Sequence, residues 1–574
     1  MTHLSDFATL PELLAQRVRE TPRATAFVAR NPAGRWRNTT WKQFHKSVVA
    51  LAAGLWRAGL RPGDYVAVML PNSLRWEVAQ HAVYRIGGVV VGLDRNDPAD
   101  RLADLFSRFK AKALILDDRQ RLDRIPAATL ASLRLVLTDT ESMPALEAGT
   151  ARSLPDLAAV SPEQPATLIF TSGTTGRPKA LVYSHRQLTL AIASILPILA
   201  VVPDQAHTVC WLPLANPFQR MTNWCAMAAN WKSFMVSDPT RILSEVRTIR
   251  PHFLVAVPRF YEKLHAEIHR RLARLPGRLQ STTRWAQQVG GRYWRAALLG
   301  DRVAWPLKYE YRLADRLVLR RVRRALGGRL RFFISGSAPL SEPLLEAFAA
   351  LGWPILEAYG VSENIIPIAM NAPDACRPGS VGRPLRPNAV RIAEDGEILV
   401  KSPGVSSVVA DAQADGFWRT GDLGQLDADG FLRITGRKSD VFKLSTGRKI
   451  VPRILEEALS RIEGVAHCVA AGHNRKCVVA LLNVPEEQWH RLQARHQGAE
   501  GAYRYLREQA RNACAHLPDY SRPAAVAVVR DTFSPQNGEL TSNLKLRRDF
   551  VLKKHDPILA ELYRCMEKED ESRT

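Results

Sequence analysis

The sequence is poor in cysteine, with seven in 574 residues. They are dispersed and odd in number, and His473 and Cys477 stand four apart without a second ligand pair. Neither a disulfide framework nor a structural zinc site is therefore expected, and the pattern fits a reducing, cytoplasmic setting. No signal peptide is expected either. "MTHLSDFATLPELLAQRVRE" opens on polar residues and continues as an amphipathic helix with Leu10, Leu13, Leu14 and Val18 on one face. The longest apolar run, Leu188 to Pro203, falls short of the roughly 18 to 20 residues that a bilayer span needs. Pro197 interrupts it, and it reads as a buried core helix. Internal repeats and low-complexity tracts are absent.

Acidic residues are the other shortage. Against 80 Lys+Arg there are 56 Asp+Glu, a net charge of +24. Such a field suits nucleic acid, anionic lipid, or polyanionic small molecules such as nucleotides and coenzyme A. No nucleic-acid-binding motif accompanies it, so no nucleic-acid partner is expected. Apolar residues at 46% and charged residues at 24% are ordinary for a globular chain. A length of 574 residues exceeds what one hydrophobic core organises, so at least two domains are expected.

What is present is a rhythm. "TWKQFHKSVVALAAGLWRAGL" and "LRWEVAQHAVYRIG" have helical spacing, whereas "DYVAVML", "VVVGL" and "ALILDD" read as strands. The alternation continues through "HTVCWLPL", "FLVAVP", "LRFFISG" and "PILEAYG". It predicts a layered α/β domain with mainly parallel pairing. Between His265 and Gly328 an arginine-rich helical stretch interrupts the rhythm. Its Trp, Tyr and Leu residues alternate with Arg, as in helices that cover a core or lie on anionic lipid. A second interruption follows "EILVKSP", with "DADG" marking a hairpin. After Pro452 the pattern restarts as a small α+β domain, with its boundary near Arg437 to Asp440. The expected division is 1–437 and 438–574.

"LIFTSGTTGRPKALVYSH", Leu168 to His185, places two glycines, a set of hydroxyls and a lysine between an apolar run and a helix-like segment. It is not a Walker A loop, because Pro178 separates Gly176 from Lys179. The physical logic is similar. Glycines admit backbone amides to an anion, the hydroxyls of Thr171, Ser172, Thr174 and Thr175 donate, and Lys179 adds charge, so Thr171 to Lys179, with Gly173 and Gly176, read as a phosphate-binding loop.

The whole string resembles the phosphate-loop signature of the adenylate-forming superfamily, and further signatures follow in order. "EAYGVSEN", Glu357 to Asn364, resembles its adenine- and magnesium-binding stretch. The resemblance implies that Glu357, Ala358, Tyr359, Gly360 and Ser362 surround the nucleotide, with Tyr359 stacking on adenine, and that Glu363, with Thr171, holds Mg²⁺. "FWRTGDLG" supplies Asp422 for the ribose hydroxyls, and "GRKSD" supplies Arg437 for ribose or phosphate. "STGRKIVP" places Gly447 facing the thiol tunnel, and "LTSNLKLRR" puts Lys545 in the place of the adenylation lysine. Gly336, Ser337 and Ala338 in "SGSAP" would line the adenine and acyl entrance.

The resemblance implies a two-step reaction. A carboxylate attacks the α-phosphorus of ATP, with Lys545 and Mg²⁺ balancing the charge that develops. A thiol then attacks the acyl-adenylate after the C-terminal domain turns about a hinge near Ser439. "WLPLANPFQR", "PHFLVAVPRFYEKL" and "PGSVGRPL" are most similar to long-chain fatty acyl-CoA synthetases. That similarity implies a fatty acid, ATP and coenzyme A as substrates. Loading of an acyl-carrier protein or an amine is one alternative, and a catalytically silent acyl- or nucleotide-binding homologue is another. Peripheral contact with an anionic membrane is expected from the basic helices of residues 265 to 328. Trp224 is a candidate gate or core residue. Departures from the family text are Ala180 for glycine, Ser362 for threonine, Asn216 for histidine, and Ser439 at the hinge.

Overall fold

The structure is a computed structural model that describes residues 7–138, 160–171, 179–298, 302–409, 415–534, 537–540 and 546–571. By its contacts the chain divides into two units, Met1–Val390 with Val400–Trp418, and Arg391–Leu399 with Arg419–Thr574. The segments 391–399 and 419–437 thus group with the C-terminal part of the chain.

In the first unit, valine-rich segments buried on both faces build a six-stranded sheet, as parallel strands covered by helices require. Its order is Leu135–Thr138, Ala111–Leu116, Tyr65–Met69, Val89–Gly92, Pro165–Thr171 and Lys179–Ser184. All neighbours are parallel except the last pair. Helices Trp41–Arg57 and Leu74–Arg85 start where the sequence offers a cap, a Thr40/Gln43 capping box and the Ser73 hydroxyl. A second sheet runs Phe253–Ala256, Phe332–Ser335, Ile355–Tyr359 in parallel, then two short antiparallel strands, Ala369–Met370 and Arg383–Pro384. A third contains Trp36–Thr40, Thr25–Arg30, Lys232–Met235 and His207–Cys210. The layered α/β architecture with mainly parallel pairing is as the rhythm predicts.

The apolar run from Leu188 is helical only as far as Ile195, in the helix His185–Ile195. Pro197 cannot continue it, and the remainder packs as turns with Leu196, Leu199 and Val202 buried. Residues 258–325 form helices Pro258–Ala273, Gly277–Leu298 and Trp305–Ala314, a π-helical turn Asp315–Leu319, and Arg320–Ala325. Among the described residues no helix is long and apolar enough to cross a membrane.

A four-stranded sheet orders Ala389–Ile392, Glu397–Lys401, Trp418–Leu426 and Leu432–Arg437. The last two are joined by the "DADG" hairpin, where Asp427 Oδ1 accepts from the N–H groups of Asp429 (3.0 Å) and Phe431 (2.8 Å). Further on, the three-stranded sheet His467–Ala471, Val478–Asn483 and Pro523–Val529 packs under helices Pro452–Leu459 and Ala499–Ala513 around Leu455, Leu459, Leu482 and Leu506.

Candidate active site

The strands that flank the opening loop, Pro165–Thr171 and Lys179–Ser184, pair antiparallel. Thr171 pairs with Lys179, Phe170 with Ala180 and Leu168 with Val182. The element after the loop is therefore a strand, and the helix-like segment begins only at His185. Cross-strand pairing aligns Lys179 with the end of the strand before the loop, and Lys179 is exposed there. Ser172, Gly173, Thr174, Thr175 and Gly176 lie outside the described residues, as does the side chain of Thr171. Ala180 sits in ordinary strand backbone and not among the residues of positive φ, so the alanine carries no backbone penalty there.

The strand that leaves the loop ties the other signatures together. The Tyr183 hydroxyl donates to the Ser362 carbonyl. Burial pushes this hydroxyl well above the usual phenol range, and the charge of Glu363 pushes it the same way. Ser406 bridges the same two segments. Its Oγ donates to the Val182 carbonyl (3.0 Å) and accepts from the Val182 N–H (3.2 Å), while its own N–H donates to the Glu363 carbonyl (2.9 Å). Buried Asn364 accepts from the Ser402 hydroxyl at 3.1 Å. Gly404 passes so close that a Cβ there would lie 2.4 Å from Asn364 Oδ1. Glu363 is thereby held half-buried beside exposed Ser362 and Gly360. Tyr183, Ser406 and Gly404 carry no sequence signal of these roles, and Asn364 lies inside a quoted motif without an assigned one.

Gly336, Ser337 and Ala338 follow the strand Phe332–Ser335 at its carboxyl end, where ligands bind in open α/β sheets. Ser337 has φ +74°, a conformation that non-glycine residues adopt only when the surroundings impose it. Gly336 passes under the Phe218 ring, where a Cβ would meet Cζ at 3.0 Å. Glu357 is buried and its Oε1 accepts from the Leu340 N–H at 3.2 Å, which braces this turn. Tyr359 is also buried, at the end of its strand. The Ser335 hydroxyl is buried without a hydrogen-bond partner directly before the turn.

These ends open into a cavity of about 200 Å³. Gly336, Ser337, Ala358, Gly360 and Ser362 line one part of it, and Ile195, Leu199, Trp231 and Phe253 another. Phe253 pairs with Phe332, four residues before Gly336, so the cavity runs roughly 13 Å along the strands at about 3.3 Å per residue. Its side is helix Pro217–Ala228, through Phe218, Met221, Thr222 and Cys225. Among the described residues, none that lines it is charged. Burial raises the Cys225 thiol to about 12, so it stays neutral. Ala338 is not among the lining residues. Trp224 is not either; fully buried, its ring lies 5.1 Å from the Arg220 guanidinium on the opposite face of the helix. Trp231 takes the place in the wall that sequence reasoning offered to Trp224.

That opposite face is polar and fully buried. Arg220 donates to Gln80 (3.0 Å), Thr167 (2.9 Å) and the Tyr84 hydroxyl (2.6 Å). Glu77 accepts from Asn223 and Gln80, both at 2.6 Å. Burial raises the Glu77 carboxyl, against these hydrogen bonds and the charge of Arg220. Thr167 lies on the strand Pro165–Thr171, so one network ties that strand and the cavity helix together. Asn216 caps the helix without a side-chain cap hydrogen bond and is half-buried.

In the second unit Asp422 and Arg437 stand opposite one another on paired strands, with Arg437 Nε donating to Asp422 Oδ1 at 3.0 Å. Lys438 is clasped by Asp395 (2.8 Å) and Glu397 (2.7 Å). Burial alone would raise the Glu397 carboxyl, but hydrogen bonds from Lys438, Arg419 and the Gly421 N–H hold it below the usual range. Gly447 occupies the turn between strands Phe442–Lys443 and Lys449–Ile450 at φ +83°, which favours glycine. Leu540 and Leu546 pair as an isolated bridge; Lys545 itself lies outside the described residues.

The first unit carries the Glu363 carboxylate beyond the carboxyl end of the strand Ile355–Tyr359, and the second carries the paired Asp422 and Arg437. Residues 14–408 match the family described as AMP-binding enzyme, and residues 439–567 match the AMP-binding enzyme C-terminal domain. The chain belongs to this family of adenylate-forming enzymes. It is similar to the long-chain-fatty-acid–CoA ligase FadD15 of Mycobacterium bovis, 28% identical over 92% of this chain and 93% of the relative. It is also similar to long-chain-fatty-acid–CoA ligase 5 of Rattus norvegicus, 24% identical over 98% and 90% of the two chains. Its fold matches that of ATP-bound MatB from Rhodopseudomonas palustris, with a TM-score of 0.71 and 22% identity over 96% of this chain and 99% of that one.

Proposed function

We propose that the protein is an AMP-forming long-chain fatty acid–CoA ligase, which activates its acid as an acyl-adenylate and transfers the acyl group to coenzyme A. The observation that carries this reading is the uncharged cavity. It suits an apolar tail and offers no charged group to grip an amino or a second carboxylate function, while its other end reaches residues of the nucleotide signatures.

In this reading the acid's carboxylate lies near Gly336 and Gly360, and the loop Thr171 to Lys179 receives the β- and γ-phosphates. Lys545 supplies the cation that balances charge at the α-phosphorus, and Asp422 with Arg437 receives the ribose. Lys438 and Ser439 begin the turning segment of a domain comprising 438–574, and Gly447 faces the thiol. A Mg²⁺ ion fits the donor set, since Glu363 is a single half-buried carboxylate and Mg²⁺ is usually held by one or two carboxylates plus substrate phosphates and water. Glu363, with Thr171, would hold it, and it would supply charge neutralisation of the leaving pyrophosphate.

The test is incubation with ATP, Mg²⁺ and a ladder of fatty acids, with and without coenzyme A, alongside Lys545→Ala, with products identified by mass. Acyl-CoA that disappears in the variant supports the reading. Acyl-adenylate without acyl-CoA redirects it to transfer onto an acyl-carrier protein or an amine. No product with any acid makes the chain a silent binding protein.

A further inference from the structure

Where the second and third sheets meet, the amino ends of their strands gather basic residues that the enzymatic reading leaves unused. Lys232 opens one strand and pairs with His207, which opens the next. The His252 N–H donates to the His207 carbonyl (3.0 Å), and the Arg331 N–H to the His252 carbonyl (2.9 Å), directly before the strands Phe253–Ala256 and Phe332–Ser335. Lys232, His207, His252 and Arg331 thus stand in a row across four neighbouring strands, roughly 14 Å long at about 4.8 Å per strand. The His207 and His252 rings meet edge to face with centroids 5.8 Å apart, so both stand on one side of the row.

Two further arginines are held against this row. Arg250 takes φ +55°, a conformation rare outside glycine, and its Nε donates to the Gly327 carbonyl at 2.8 Å. Arg329 precedes Leu330, which is buried and whose carbonyl accepts from Trp353 Nε1 at 3.2 Å. Burial lowers the His207 imidazole; the Ile249 carbonyl opposes this, and the charges of Arg329, Lys232 and Arg250 add to it. At His252 burial, and after it His207, Arg329 and Arg331, push the ring down to about 4. The carboxylates of the adjoining segments are engaged elsewhere, since Asp204 accepts from Asn230 (2.9 Å) and Glu245 pairs with Arg30 (2.7 Å). Among the described residues, Lys232 and Arg329 have no side-chain hydrogen bond or ion pair. His252 Nδ1 accepts from the His207 N–H at 3.0 Å, which leaves the ring its Nε2–H as a donor.

We propose that this cluster is a binding site for an oligophosphate anion, with two or more linked phosphates lying along the row from Lys232 to Arg331 and with Arg250 and Arg329 beside them. Lysine, three arginines and an imidazole donor together call for an anion of several charges, and the row is longer than a single phosphate spans. Lys232, His207 and His252 are half-buried, which suits a small ligand that reaches between side chains. Trp231 and Phe253, which line the far part of the cavity, adjoin Lys232 and His252 in the chain. The site therefore lies beyond the end of the cavity opposite Gly336, away from the carboxyl ends of the strands. The proposal rests on this cluster and not on the enzymatic reading.

The test is calorimetric titration of the full chain with inorganic tripolyphosphate, orthophosphate and ATP at low and high salt. The native chain is compared with Arg329→Gln/Arg331→Gln, with Lys232→Gln, and with Lys179→Ala, which weakens the phosphate loop of the enzymatic reading. Tripolyphosphate binding is expected to survive Lys179→Ala and to fade with salt. It is expected to weaken about tenfold in Arg329→Gln/Arg331→Gln, the scale of two solvent-facing ion pairs, and to weaken in Lys232→Gln as well. Arg329 and Arg331 are exposed, so the unfolding midpoint without ligand should hold in their variant and show that it folds. In Lys179→Ala, equal affinity for tripolyphosphate and ATP assigns the site to the phosphate chain alone and tighter binding of ATP assigns it to a nucleotide; both support the proposal. Absence of tripolyphosphate binding in Lys179→Ala at low salt overturns it. Binding unaltered by both the arginine and the lysine changes at the cluster overturns it too, as does orthophosphate bound as tightly as tripolyphosphate.

Discussion

Helix Pro217–Ala228 and the helical stretch from Trp305 to Leu319 both place residues where their polarity opposes the usual rule. The first buries arginine, asparagine and glutamine on one face and turns its apolar face to a cavity. The second turns cations and aromatic rings together to water. The difference lies in what completes each face. Arg220 and Glu77 are stable inside because their groups are hydrogen-bonded within the chain. Trp305 and Tyr309 stand largely in water, with no such completion among the described residues.

Removing one member of the buried network is the severest way to break this comparison. Arg220→Met is expected to cost about 3 to 5 kcal/mol, because Gln80, Thr167 and the Glu77 charge lose their counterpart. Denaturant unfolding measures it, and a cost near that of a surface substitution would mean that the network positions nothing. Glu363→Gln tests the other end of the cavity. Catalytic efficiency is expected to fall on the order of 10²- to 10³-fold, the scale of one lost electrostatic partner in a transition state. The unfolding midpoint should hold, since Glu363 is only half-buried.

Acid should expose the interior before the surface. Burial holds His81 at about 3 and His185 at about 4, against an ordinary 6.5. Between pH 6.5 and about 4 the unfolded chain therefore binds protons that the folded chain refuses, so stability is complete above this window and declines as pH falls through it. Thermal midpoints across the range check this, and His185→Leu should flatten the slope. The smallest effect is on specificity. Cys225→Phe fills part of the cavity wall and should shift preference to shorter acids, with about 0.8 kcal/mol lost for each methylene excluded, or roughly fourfold in kcat/KM. An unchanged chain-length profile would place the acyl tail elsewhere.

Much of the molecule was legible in advance. The strands Tyr65–Met69, Val89–Gly92, Phe253–Ala256 and Phe332–Ser335 follow from β-branched and aromatic runs of the right length, and helix Trp41–Arg57 from its spacing and its cap. The motif strings put Glu363, Asp422, Arg437 and Gly447 forward as site residues, and all four lie among the described residues. What escaped has physical causes. The segment from Lys179 reads only as leading into a helix because "KALVYS" is too short for periodicity to separate strand from helix, and only pairing with Pro165–Thr171 decides it. Trp224 and Trp231 are equally apolar in the sequence, and only the fold puts the first on the core side of helix Pro217–Ala228 and the second, just beyond that helix, in the cavity wall.

The sequence by itself determined the class of chemistry and the order of its parts, because anion loops, caps, turns and strand patterns are local and their residues lie close together along the chain. Tertiary structure alone decided the pairings that make those parts a site. Arg220 meets Gln80 across 140 residues, and Tyr183 meets Ser362 across 179. Contacts of that separation leave no periodic trace, since they arise only when sheets and helices pack and every buried polar group must find its partner.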